Sequence, residues 1–184
     1  NGSPLTAEEA RRLASSGHPD VCIRAAASGV LTRDVLLRLC SRDADMRVRR
    51  EAWDALALPL KTPFLEWNWL WLMEASGSAS ARAGWIPRHL TVWSGSELLA
   101  AAPLYIKTHS AGEFVFDQTW AEVAGRLGLD YYPKLVGMSP FTPLIGYRFL
   151  MAPGVDETQL TGLMIEEIER YCRRQRLSGS SFLF

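Results

Sequence analysis

From Asp156 to Arg176 the chain carries one apolar stripe at helical spacing, and a stripe of that length demands an apolar surface to lie on. Leu160, Leu163, Met164, Ile168, Tyr171 and Cys172 recur at intervals that put them on one helix face. Asp156 stands where an N-cap belongs, with Gln159 three residues later in a capping-box arrangement. Arg170, Arg173, Arg174 and Arg176 crowd the C-terminal end, where the helix macrodipole favours cations, so they read as structural and not as a nucleotide site. The segments before this helix supply the surface. Residues 64–75 form an aromatic helix opened by Thr62-Pro63 and closed by Ser76-Gly77-Ser78. Residues 88–93 alternate as a strand, 94–97 turn, and 98–107 run back as a second strand, with Pro103 marking an edge or bulge. A helix over about 118–127 ends at Gly128, short strands follow at 131–136 and 147–151, and 182–184 close the chain as a strand. This order predicts an α/β (α+β) fold: a mixed sheet with flanking helices.

Residues 5–57 have a different grammar. Leu5-Thr6 and Leu31-Thr32 each open a unit, and Leu13-Ala14-Ser15 lines up with Leu39-Cys40-Ser41 at the same offset. The spacing predicts two helix–turn–helix units, with helices over 7–15, 19–27, 33–41 and 45–57. Asp45-Met46-Arg47-Val48-Arg49 gives them a resemblance to HEAT-like or leucine-rich-variant helical repeats. Two such units cannot bury their own stripe, so Leu13, Val21, Leu39 and Val48 are expected to share a core with the aromatic helix. The expected domains are a helical repeat segment over 1–57 and a second domain over 58–184.

Composition removes several function classes. Twenty Lys and Arg balance twenty Asp and Glu, which gives no support to nucleic-acid binding. The most apolar run, residues 64–73, falls short of the roughly 18 residues of a membrane span and carries Glu66. Cys22, Cys40 and Cys172 show no CxxC spacing, and His18, His89 and His109 are scattered, so no metal site is expected. The chain opens at Asn1 with no basic-then-apolar leader, and a reducing, cytoplasmic setting is the default expectation. It reads as a piece of a longer protein.

Residues 107–143 carry the densest chemistry. Lys107-Thr108-His109-Ser110, Gly112-Glu113-Phe114-Val115-Phe116-Asp117, Tyr131-Tyr132-Pro133-Lys134 and Pro140-Phe141-Thr142-Pro143 interleave ionisable and aromatic residues with no period of 2 or 3.6. Such a mixture suits the floor of a cleft better than an amphipathic face. Asp117, just before Gln118-Thr119-Trp120, also reads as a helix N-cap. Arg88 and His89 read as residues that fix a strand in place.

These motifs carry a resemblance. Trp53-Asp54-Ala55-Leu56, Pro63-Phe64-Leu65, Glu74-Ala75-Ser76-Gly77-Ser78, Gly84-Trp85-Ile86-Pro87-Arg88-His89-Leu90 and Pro103-Leu104-Tyr105-Ile106-Lys107 precede those just named. In this order, from about residue 52 to the end, the chain resembles the N-terminal part of a bacterial family of predicted N-acyltransferases, labelled as peptidoglycan biosynthesis or recognition proteins. The resemblance implies a GNAT-like fold related to the Fem-type aminoacyl transferases. It implies transfer of an acyl or aminoacyl group to an amine acceptor, a small molecule or a cell-wall precursor. The donor would be an acyl-CoA or aminoacyl donor, bound mainly outside this chain, and the chain alone is expected not to turn it over. Amine acylation needs a base for the attacking ammonium, for which His109, Glu113 and Asp117 are the candidates. Lys107, Ser110, Tyr131, Tyr132, Lys134, Phe141 and Thr142 would position the substrate. The competing expectation is a non-catalytic interaction module, with the helical repeats docking a protein partner.

Overall fold

The computed structural model describes residues 21–25, 35–40, 46–94, 97–112, 114, 116–139, 141–143 and 146–183, with side chains from residue 50 onward. Nine strands and four α-helices alternate among these residues: β1 (Val21–Ala25), β2 (Val35–Cys40), α1 (Met46–Ala57), α2 (Trp67–Ala75), β3 (Trp85–Pro87), β4 (His89–Ser94), β5 (Glu97–Ala102), β6 (Leu104–Lys107), α3 (Gln118–Arg126), β7 (Lys134–Gly137), β8 (Leu150–Met151), α4 (Glu157–Gln175) and β9 (Ser180–Phe182). The mixed α+β architecture matches the expectation from element order.

Pro103 explains the sheet topology. The run read as one strand over 98–107 is two, because proline cannot donate to a ladder. β5 lies in a sheet of order β1-β2-β4-β5-β8, and β6 in a second sheet of order β3-β6-β7-β9. All pairings are antiparallel except β7 with β9. Tyr147 donates from its hydroxyl to the Pro103 carbonyl at 2.9 Å, which fills the place where the two sheets part. β7 begins at Lys134 and β8 at Leu150, so both strands are shorter than expected from the sequence.

The helices at 19–27 and 33–41 are corrected: the described parts, Val21–Ala25 and Val35–Cys40, are strands, and β2 pairs with β4. Val35-Leu36-Leu37-Arg38-Leu39-Cys40 is a short apolar run that fits either state by period, and an available ladder on β4 decides it. Residues 7–15 and the side chains of Leu13, Val21, Leu39 and Val48 lie outside what the structure describes.

Two helical layers cover the sheets. On one side α4 lays Leu160, Met164, Ile168, Tyr171 and Cys172 against Leu90, Val92, Ala100, Leu104, Ile106 and Leu135. Each fully buried aliphatic side chain there contributes about 1.5–3 kcal/mol relative to exposure. The Gln159 N–H donates to Asp156 Oδ1 at 2.9 Å, so the expected cap is present. On the other side α1 and α2 bury Trp53, Leu56, Ala57 and Leu70 against Trp93, Ala101 and Leu150. The tryptophans of α2 divide: Trp67 meets Trp53 edge-on, Trp69 meets Phe64, and Trp71 is exposed. His89 ties this layer to the strands, accepting the Leu104 N–H at Nδ1 and pairing through Nε2 with Glu74, each at 3.1 Å.

Candidate functional site

The site starts from strand alternation. Along β6, Leu104 and Ile106 point into the α4 core, which leaves Tyr105 and Lys107 on the opposite face. Lys107 pairs in register with Lys134 of β7, so two lysines stand directly opposite each other on one face. Like charges in that position work against the ladder unless an anion lies between them.

Asp117 is that anion. Lys134 Nζ donates to its Oδ2 at 2.6 Å, and Lys107 Nζ reaches both carboxylate oxygens at 3.4 Å. The Tyr132 hydroxyl donates to Oδ2 at 2.6 Å and takes a hydrogen bond from Ser110 Oγ at 2.9 Å. Lys134 also donates to the Tyr131 hydroxyl at 3.0 Å. Lys107 is 0 % exposed, Asp117 5 % and Lys134 7 %, so the ion cluster is closed to solvent. Asp117 does precede α3 as expected, yet its side chain makes no capping hydrogen bond to that helix. It is turned wholly towards the lysines.

Aromatic rings complete the enclosure. Lys134 Nζ lies 4.1 Å from the Tyr131 ring centre and 5.2 Å from that of Tyr132. Lys107 Nζ lies 5.5 Å from both Tyr132 and Trp85. Ring faces attract cations, so they offset part of the cost of taking two ammonium groups out of water. Trp85 is buried, donates from Nε1 to the Ala111 carbonyl at 3.0 Å, and packs on Phe141 and Tyr105. Phe141 holds a backbone φ of 55°, a left-handed conformation uncommon for a bulky residue, and so brings its ring onto Trp85.

Charge follows from this geometry. Burial works against ionising Asp117, but hydrogen bonds from Lys134 and Tyr132 and the charge of Lys107 outweigh it, holding the carboxyl well below its ordinary range. Burial, with the neighbouring Lys134 charge adding to it, lowers Lys107 to about 8 even though Asp117 favours its charged form. Burial and donation to Asp117 push the Tyr132 hydroxyl up. At neutral pH the resting cluster holds a carboxylate at Asp117, a neutral Tyr132 and a Lys107 that remains mainly charged.

Lys107, Ser110, Asp117, Tyr131, Tyr132 and Lys134 therefore converge, with Phe141 one ring away through Trp85. Thr142 is buried in the segment after Phe141. Glu113 lies outside the described residues. His109 is exposed and turned aside: Nδ1 accepts the Ala111 N–H at 3.1 Å and Nε2 donates to the Ala83 carbonyl at 3.0 Å. Nε2 thereby braces the turn that contains Gly84, whose φ of 73° and close approach to the imidazole leave no room for a side chain. Trp85 was missed as a site residue. Only the β3–β6 pairing, Trp85 with Lys107, carries it there, and no local spacing reveals that pairing.

Among the described residues, no group of three or more His, Cys, Asp or Glu side chains is placed to hold a metal ion. No described helix is long and apolar enough to cross a membrane. Compared with known families, residues 45–184 match the model of the FemAB-like family, described as peptidoglycan biosynthesis/recognition. No curated protein and no solved structure matches the chain.

Proposed function

We propose, from the premise that this chain belongs to the FemAB-like peptidoglycan biosynthesis/recognition family, that it forms the acceptor side of a transferase passing an acyl or aminoacyl group to an amine of a cell-wall precursor. The observation that supports this is the carboxylate held by two lysines and a tyrosine on one sheet face. A site that holds one carboxylate this way has the donors to hold another, such as an acidic group of a peptide that also carries an amine. Lys134 and Tyr132 supply the directed donors, Lys107 a second charge, and Trp85 with Phe141 a stiff apolar floor.

The reaction needs the acceptor ammonium to lose a proton before its nitrogen attacks the acyl carbon. The carboxylate of Asp117 is our choice of proton acceptor, since both ring nitrogens of His109 are engaged with backbone. The new C–N bond forms as the donor's ester or thioester C–O or C–S bond breaks. The leaving group departs with its electron pair.

The test, made in a protein that joins this chain to a donor-binding half, is transfer of a labelled aminoacyl group from an activated ester to a peptide bearing an amine and a free carboxylate. Lys134→Met and Tyr132→Phe are each expected to lower kcat/KM by about 10- to 100-fold, the loss of a hydrogen bond to a charged group. Trp71→Ala, on the exposed face of α2, should leave it unchanged. Equal rates in all three would count against this assignment. One observation favours the interaction-module reading: Phe116, Trp120, Val123 and Leu127 expose a continuous apolar face around α3.

A further inference from the structure

A carboxylate bound by two buried lysines is an unusual way to anchor a helix, and α3 has little else to anchor it. It buries no residue of its own. Trp120 is 67 % exposed and Leu127 68 %, and α3 makes no extensive contact with any other helix or strand among the described residues. The helix runs out through Gly128, whose φ of 69° ends it in a left-handed turn. The cradle, by contrast, is built on the paired strands β6 and β7 and on the Tyr131-Tyr132 segment, and Leu135 and Ile106 beside the lysines belong to the main core. One rigid half of the ion cluster thus holds one weakly fastened half.

We propose that Asp117 is an internal occupant of an anion site, and that a carboxylate of the incoming substrate enters by displacing it and so releases α3. This rests on the reading of the site as an acceptor-binding cradle and adds how it opens. The exchange conserves the interactions: one carboxylate leaves Lys107, Lys134 and Tyr132 as another takes the same three donors. It also explains why residues suited to substrate binding are closed to solvent. The displaced carboxylate, no longer held by two ammonium groups, regains the basicity that the resting cluster suppresses. It then stands beside the bound acceptor as a group able to take the ammonium proton, so entry of the correct substrate turns a latch into a base.

The experiment is amide hydrogen exchange on the full chain, titrated with an N-acetylated dipeptide bearing a free carboxylate and, in parallel, with its C-terminal amide. Binding is followed separately by NMR of the lysine side-chain signals. The carboxylate peptide is expected to speed exchange of residues 118–126 at least tenfold while β6 and β7 stay protected, and the amide to do nothing. Asp117→Asn should show fast α3 exchange without ligand and bind the carboxylate peptide about tenfold more tightly. Should that variant fail to fold, the wild-type titration decides alone. Lysine shifts with no change in α3 exchange would overturn the displacement while leaving the acceptor site standing. Absence of binding in both the wild type and Asp117→Asn would remove both.

Discussion

Lys107 and Lys134 face each other in register across the β6–β7 ladder, and the carboxylate of Asp117 lies between them. Asp117→Asn takes away the carboxylate charge that pairs with both buried lysines. Breaking a buried pair from one side costs about 3–5 kcal/mol, since a buried charge is left uncompensated. At roughly 2–4 °C per kcal/mol for a chain of this size, melting should fall by about 10 °C. In the wild type the contribution of Asp117 is complete above the ordinary carboxyl value near 3.8 and is lost as pH falls below it, because the folded group is the more acidic one. A calorimetric scan of both proteins at pH 7 checks the first point, and one at pH 3 the second.

Lys107 sets a second pH window with the opposite sense. Its folded value is lowered to about 8 from 10.5, so between those values the unfolded chain keeps a proton that the folded chain has shed. Stability should gain from this group as pH rises through that window. Urea unfolding at pH 7.5, 9 and 10 is expected to show the gain, and Lys107→Met should flatten it. An unchanged slope in the variant would mean that Lys107 is not the group responsible.

Gly84 and His109 should be coupled. A methyl group at position 84 would strike the His109 imidazole and the Thr108 hydroxyl, at a φ that side chains rarely adopt. Gly84→Ala is expected to cost more than about 1 kcal/mol. His109→Ala, at an exposed position, should cost much less, and the double variant should recover part of the Gly84→Ala loss. A double-mutant cycle by chemical denaturation gives the coupling directly, and additive effects would argue against the close contact.

Asp156→Ala removes the cap of α4 and should cost about 1 kcal/mol with no effect on peptide binding, because α4 lies on the sheet face away from the lysines. A matching loss of binding would mean that the two faces are linked.

What could be read from residues alone follows physical range. The cap and stripe of α4 are local, and they appear in the fold as the spacing predicts. Pro103 showed that something breaks within 98–107, but not that the chain changes sheets there, since that depends on partners far along the chain. Residues 35–40 were misread as helical because a six-residue apolar run has no period to separate the two states. In the site, Lys107, Ser110, Asp117, Tyr131, Tyr132 and Lys134 were recognisable by type and density. The carboxylate's place between opposed lysines, and Trp85 beneath them, depend on ladder register, which a single sequence does not display.

The most direct measurement locates an acceptor peptide on the protein. The isotope-labelled chain would be titrated with a peptide carrying one amine and one free carboxylate, and the perturbed side-chain signals assigned. Saturable shifts at Lys107, Tyr132 and Lys134, abolished by Lys134→Met, are the result this account predicts. Shifts confined to the groove between α4 and Phe149, Met151 and Phe182, with the lysines unmoved, would contradict it.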